Sequence, residues 1–268
     1  MYYQNVRGLR TKCKDFYLSS TASNFDIIAL SETWLNPSFH DHELFHTDFN
    51  VYRCDRSTQT SVSSRGRGVL ISVKKTFQSE QLHIPSSETF EVVFVKVTLD
   101  INLFFCCLYI PPSSEANFYE RLTSVFEIFL NQVQLQFEDI IVICGDFNSP
   151  TVEWVNDCDN ISILLPFYAN ASCPHSLFNM LLSNGLNQLN FVKNFQNRLL
   201  DLLFTSSADL ISISESSSSL VPIDAYHKPF VCKIIINDVS YVNVPSIEYY
   251  NFHRANYCGI NNFLSSVD

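Results

Sequence analysis

Residues 143–150 read ICGDFNSP and close an apolar run, IIVI, that begins at Ile140 just after Asp139. A short run that is apolar at every position reads as a strand buried on both faces, in a sheet covered on each side. The chain then turns at Gly145 and presents Asp146 and Asn148 two residues apart. An Asp/Asn turn after a strand is common on its own. The other reading is a catalytic edge, with both side chains facing one cleft.

Similar runs recur along the chain: MYYQNV, FDIIALSE, RGVLISV, EVVFVKVTL, NLFFCCLYI, RLLDLLFT and FVCKIII. Between them, residues 115–137 place Phe118, Leu122, Val125, Phe126, Phe129 and Leu130 at helical spacing. Residues 172–184 and 11–23 are shorter helical candidates. NPS at 36–38, PPSS at 111–114 and SP at 149–150 supply the turns. ISISESSSSL (211–220) reads as a polar loop or low-complexity insert. Residues 237–268 read as a tail or linker with a short terminal helix.

With 268 residues, 46% hydrophobic content, 23 Phe and only 16% charged residues, the chain has enough apolar side chains for a sizeable core and is not a disordered type. Its net charge of −10, taken alone, disfavours a nucleic-acid binder. The charge is uneven, however. Residues 1–75 hold 10 Lys+Arg against 7 Asp+Glu, and the remainder holds 7 against 20. A polyanion is therefore expected near Arg53, Arg56, Arg65 and Arg67, and a cation in the acidic part. Nine cysteines without a C-x-x-C pair, and no leader-like segment, point to a reduced, intracellular protein without a zinc ribbon. No apolar stretch is long enough for a membrane span.

The polar residues at the strand ends form a set. Asn5 follows MYYQ, Glu32 follows DIIALS, and Tyr109 follows LFFCCL. Asp146 and Asn148 follow IIVICG, Asp201 lies in RLLDLLF, and His227 precedes the last strand. Strands lying side by side would gather these groups on one rim. Carboxylates, amides, a phenol and an imidazole together suit phosphate-ester hydrolysis. Hard oxygen ligands hold Mg²⁺, a carboxylate-oriented His serves as base or charge stabiliser, and amides and phenol bond to the transition state.

QNVRGL (4–9), LSETWL (30–35), YRCDR (52–56), RGRGVLI (65–71), LYIPP (108–112), GDFNSP (145–150) and LLDLLFT (199–205) follow one another in order. In that order and spacing the chain resembles the endonuclease/exonuclease/phosphatase superfamily over about residues 1–236. The wording is most similar to apurinic-type endonuclease domains of non-LTR (LINE-type) retrotransposons. The resemblance implies a deoxyribonuclease I-like α/β fold, a two-sheet sandwich flanked by helices in four α/β/β/α layers. It implies Glu32 as the principal Mg²⁺ (or Mn²⁺) ligand with Asn5 in its network, and Asp224 as a further carboxylate. Asp146 would orient or activate the attacking water, Asn148 hold the scissile phosphate, and Tyr109 touch a phosphate oxygen. His227, oriented by Asp201, would be the base or phosphate stabiliser.

The implied partner is double-stranded DNA, nicked in the nucleus to prime a linked reverse transcriptase. That enzyme's Y-x-D-D motif is absent here, so 237–268 would lead toward it. The competing readings are a same-fold phosphoesterase on inositol phosphates or phospholipids, and a catalytically decayed DNA-binding or interaction module. The basic first third favours DNA. Two departures stand out. R-G-R-G at 65–68 replaces the usual R-G-G-G, and Asp224-Ala225-Tyr226-His227 is two residues looser than the usual adjacent Asp-His.

His42-Glu43-Leu44-Phe45-His46 matches H-E-x-x-H, the zinc motif of metalloproteases. It sits in a stretch too short for the helix and sheet such a site needs, with no third ligand at the expected distance. RGRG lacks the G-K-[ST] ending of a P-loop.

Overall fold

In the computed structural model, which describes residues 1–55, 68–168, 175–236 and 256–266, fourteen strands and four α-helices are seen. In chain order the first strands are β1 (Tyr2–Asn5), β2 (Ile27–Ser31), β3 (Phe49–Cys54), β4 (Val69–Lys74), β5 (Gln78–Leu82), β6 (Glu91–Thr98) and β7 (Asn102–Tyr109). They continue with β8 (Ile140–Asp146), β9 (Val152–Asn156), β10 (Leu164–Tyr168), β11 (Asn187–Gln188), β12 (Asp201–Thr205), β13 (Ile211–Glu215) and β14 (Phe230–Ile234). The helices are α1 (Cys13–Ala22), α2 (Ala116–Val133), α3 (His175–Ser183) and α4 (Tyr257–Leu264). Arg56, Arg65 and Arg67 lie outside the described residues.

One sheet has the order β13-β14-β1-β2-β4-β3, and the other β5-β6-β7-β8-β12-β11-β10-β9. Two pairs are parallel, β1–β2 and β7–β8, and each is joined through a helix, α1 and α2 respectively. Parallel neighbours need such a crossover; the remaining pairs, antiparallel, do not.

β7 and β8 are apolar at nearly every position because both faces are covered. Phe104, Cys106, Leu108, Ile141 and Ile143 pack toward α2 and α3. Leu103, Phe105, Cys107, Ile140, Val142 and Cys144 pack between the sheets against Tyr3, Ala29 and Ile71. A third cluster, with Phe16 of α1, Leu30 and Leu70, covers the outer face of the smaller sheet. The result is the expected four layers, helix on sheet on sheet on helix. α2 buries Tyr119, Leu122, Val125, Phe126 and Phe129, one face at spacings of three and four. It stops at Gln134, whose φ of 42° is left-handed.

The segment 211–220 differs from expectation. Its first five residues form β13, paired with β14 along its length. Ile211 and Ile213 turn inward while Ser212 and Ser214 stay exposed, the period-two pattern of an edge strand that serine-rich composition concealed. In the HELFH segment, Asp41–Glu43 make a single 3₁₀ turn, and Phe45 packs edge-on against Phe16 at 5.2 Å. His42 stacks on His40 and His46 pairs with Asp48, so the two histidines do not share a helix face. Among the described residues no helix is long and apolar enough to cross a membrane.

Candidate active site

Both sheets bring polar residues to one rim of the sandwich. Asn5 ends β1 opposite Ser31, the residue before Glu32. Asp146 ends β8, flanked in register by Tyr109 of β7 and Asp201 of β12. His227 lies three residues before β14, the strand beside β1.

The Asn5 amide joins the two sheets. Its Nδ2 donates to Glu32 Oε1 and to Asp146 Oδ2, each at 3.0 Å. Asn148 braces the same carboxylate: its backbone N–H donates to Oδ1 at 3.0 Å and its Nδ2 to Oδ2 at 3.0 Å. That Nδ2 also donates to the Ile110 carbonyl at 2.8 Å, so both amide hydrogens of Asn148 are in use. His227 Nδ1 bonds to Asp201 Oδ2 at 2.8 Å, leaving Nε2 facing Asp146 Oδ2 at 3.8 Å. Ligand atoms of Glu32, Asp146 and His227 lie within 4.8 Å of one another.

Backbone geometry supports this convergence. Arg7, Glu32, Trp34 and Asn148 all take positive φ, between 40° and 56°. Such conformations cost energy in non-glycine residues and gather at functional sites. Gly8, at φ +91°, leaves room for the Trp34 ring, which a Cβ would meet at 2.6 Å. Trp34 in turn donates from Nε1 to Glu32 Oε2 at 3.2 Å.

Electrostatics follow from burial and crowding. Asp146 is fully buried, and burial first, then Asp201 and Glu32, push its carboxyl well above the usual range against the pull of His227 and the Asn148 N–H. For His227, burial lowers the pKa, but Asp201, Asp146 and Glu32 outweigh it and raise it to about 9. The donor set fits a hard divalent cation such as Mg²⁺ or Mn²⁺: carboxylate oxygens held by amides, with no thiolate among them.

Asn5, Glu32, Asp146, Asn148, Asp201 and His227 are thus brought together, with Tyr109 beside Asp146 at the rim. Asp224 stands apart from the cluster. It pairs with Arg7 at 2.9 Å, and its other oxygen accepts from the Tyr226 N–H at 2.8 Å. Arg53 is turned inward, donating to Asp41 and to the Phe39 carbonyl at 2.8 Å each and pairing with Asp55.

Sequence reasoning missed Tyr3 and Ser31. The Tyr3 hydroxyl donates to Asp201 Oδ1 at 2.8 Å and bonds Ser31 Oγ at 2.8 Å, fixing the carboxylate that orients His227. Strand periodicity held the clue, since Tyr3 and Asn5 are two apart and share a face of β1.

Residues 103–225 match a family described as endonuclease-reverse transcriptase. Comparison with curated proteins gave no match. Among solved structures, the endonuclease domain of TRAS1, a telomere-specific non-LTR retrotransposon, is similar at 14% identity and a TM-score of 0.56, over 88% of this chain and 99% of that one. An AP endonuclease from Archaeoglobus fulgidus gives 17% and 0.57, over 88% and 100%. The 3′ phosphatase NExo from Neisseria, bound to product DNA hairpin, gives 14% and 0.60, over 88% and 100%. At these identities the structures establish a shared fold. The family match runs over that fold from β7 to the turn before His227, and the fold is the deoxyribonuclease I-like sandwich that the resemblance implies.

Proposed function

We propose that this chain is a divalent-metal-dependent endonuclease that hydrolyses phosphodiester bonds of double-stranded DNA. In this reading it nicks chromosomal DNA, in the nucleus, for insertion of a non-LTR retrotransposon. Residues 1–236 would be the catalytic domain and 237–268 the connection toward a linked reverse transcriptase. The observation that carries the proposal is the convergence on Asp146, where one buried carboxylate is reached by Asn5, Asn148 and His227 from both sheets.

Each side chain has a physical part in that chemistry. Asp146, held by two amides and raised in pKa, orients a water and accepts its proton. His227, locked through Nδ1 to Asp201, directs Nε2 at the charge that builds on the phosphoryl group. Tyr3 keeps Asp201 in place for that pairing. Asn148 fixes Asp146, and it would reach a phosphate oxygen by releasing its bond to Ile110. Tyr109 stands beside Asp146 for a phosphate contact. Glu32, with Asp146 and His227 beside it, would hold the cation, which when bound offsets negative charge on the phosphoryl oxygens.

The product ends test the reaction. Nicked plasmid should carry 3′-hydroxyl ends that a DNA polymerase extends without prior treatment. Ends that need phosphatase before extension, or phosphate release from a soluble ester with intact plasmid, would contradict this reading.

A further inference from the structure

The turn that carries His227 is fastened to the rim by a contact that comes from β1. Arg7 stands two residues beyond Asn5, and its backbone N–H donates to Asn5 Oδ1 at 3.1 Å. Its φ of 40° turns the chain sharply there. Its Nη1 donates to Asp224 Oδ2 at 2.9 Å, and its guanidinium lies over the Tyr226 ring, 5.8 Å from the centroid. One arginine therefore holds both a carboxylate and a ring of the same short turn.

That turn is internally tied. Asp224 Oδ1 accepts from the Tyr226 N–H at 2.8 Å. Asp224 and His227 form an isolated antiparallel bridge, with the His227 N–H on the Asp224 carbonyl at 3.3 Å. On the far side, Asn194 donates to the Tyr226 carbonyl at 3.1 Å. Moving Asp224 would move the backbone from which the His227 ring reaches Asp201.

We infer that Arg7 and Asp224 form a positioning latch, which sets the His227 imidazole against Asp146 by tying its turn to the end of β1 that carries Asn5. This deepens the proposed nuclease function and rests on it. It also gives the loosened Asp-x-x-His spacing a use: the carboxylate lies outside the Glu32–Asp146–His227 cluster and is spent on Arg7. The two side chains are 43% and 28% exposed, and a pair so exposed adds little to global stability. Its effect belongs in the geometry of the rim.

A double-mutant cycle on nicking kinetics tests the latch, using Arg7→Asn and Asp224→Asn with melting temperatures alongside. Asparagine tolerates the left-handed backbone at position 7, and at 224 it keeps the acceptor for the Tyr226 N–H. Each single change is expected to lower kcat about tenfold, since small misplacements of catalytic groups are costly. KM and melting temperature should stay near wild type. The double variant should lose no more than either single one, as expected for two residues acting as a unit. Multiplying losses, wild-type kcat, a loss confined to KM, or a fall in melting temperature that accounts for the lost activity would each overturn the latch. Should the wild-type protein cleave no DNA, the nuclease reading fails, and the latch is read separately from the His227 imidazole nitrogen shifts of the metal-free protein. Shifts altered alike by both single changes support it, and unaltered shifts overturn it.

Discussion

At the scale of single residues, the site is a problem of placing charge where water is excluded. His227 holds its proton more tightly in the fold than in the open chain, with a pKa of about 9 against an ordinary 6.5. The stability this contributes is complete below pH 6.5 and is lost as pH rises through about 9. Asp146 acts in the same direction, because a raised carboxyl pKa makes its ionisation cost stability as pH rises above the ordinary value. The metal-free protein should therefore melt at steadily lower temperature from pH 6.5 to 9, followed by calorimetry. Asp201→Asn should flatten that slope, because Asp201 is the first partner that offsets the burial of His227. A melting temperature that climbs across this window would contradict the account. Asp146, Asn148, Glu32 and His227 were legible because each is a polar residue that ends an apolar run or lies just before one. Tyr3 was not, because a tyrosine inside such a run reads as core until β1 is laid across β12. Arg7 was hidden by distance, since Asp224 is 217 residues away along the chain.

At the scale of elements, β8 is the support of the site, and Gly145 is what lets it lie where it does. A Cβ at Gly145 would stand 2.1 Å from the Leu108 carbonyl oxygen, on backbone that cannot swing aside as a side chain can. Gly145→Ala should force β7 and β8 apart and cost about 2–4 kcal/mol, the range of overpacking and backbone clashes. Urea unfolding measures this directly, and a variant with the wild-type midpoint would show that the strands have slack. Strands buried on both faces were legible because apolar runs admit few other readings, and α2 because its Phe and Leu residues recur on one face. The short outer strands were not. β5 is QSEQL, polar and largely exposed, and only its pairing with β6 makes it a strand. β13 hid in serines for the same reason: backbone pairing supplies what composition does not.

At the scale of the whole molecule, an acidic chain folds as a sandwich whose two sheets meet in a cluster of carboxylates. The overall order of elements was legible through the sequence of strand-end motifs, which carry the resemblance from β1 to β12. The placement of basic charge was less so. Arg53 had the composition of a phosphate contact, but it clamps the loop at residues 36–41 through Asp41 and backbone carbonyls. That distinction depends on tertiary partners which charge counting does not contain. The claim that joins all three scales is that the rim around Asp146 cleaves DNA with a bound cation. The measurement that tests it most directly is nicking of supercoiled plasmid by the wild-type chain, Asp146→Ala and His227→Ala, in Mg²⁺ and in EDTA. The account predicts nicking by the wild type in Mg²⁺, none in EDTA, and a loss of at least about a hundredfold in each variant. Nicking that persists in both variants, or in EDTA, would contradict it.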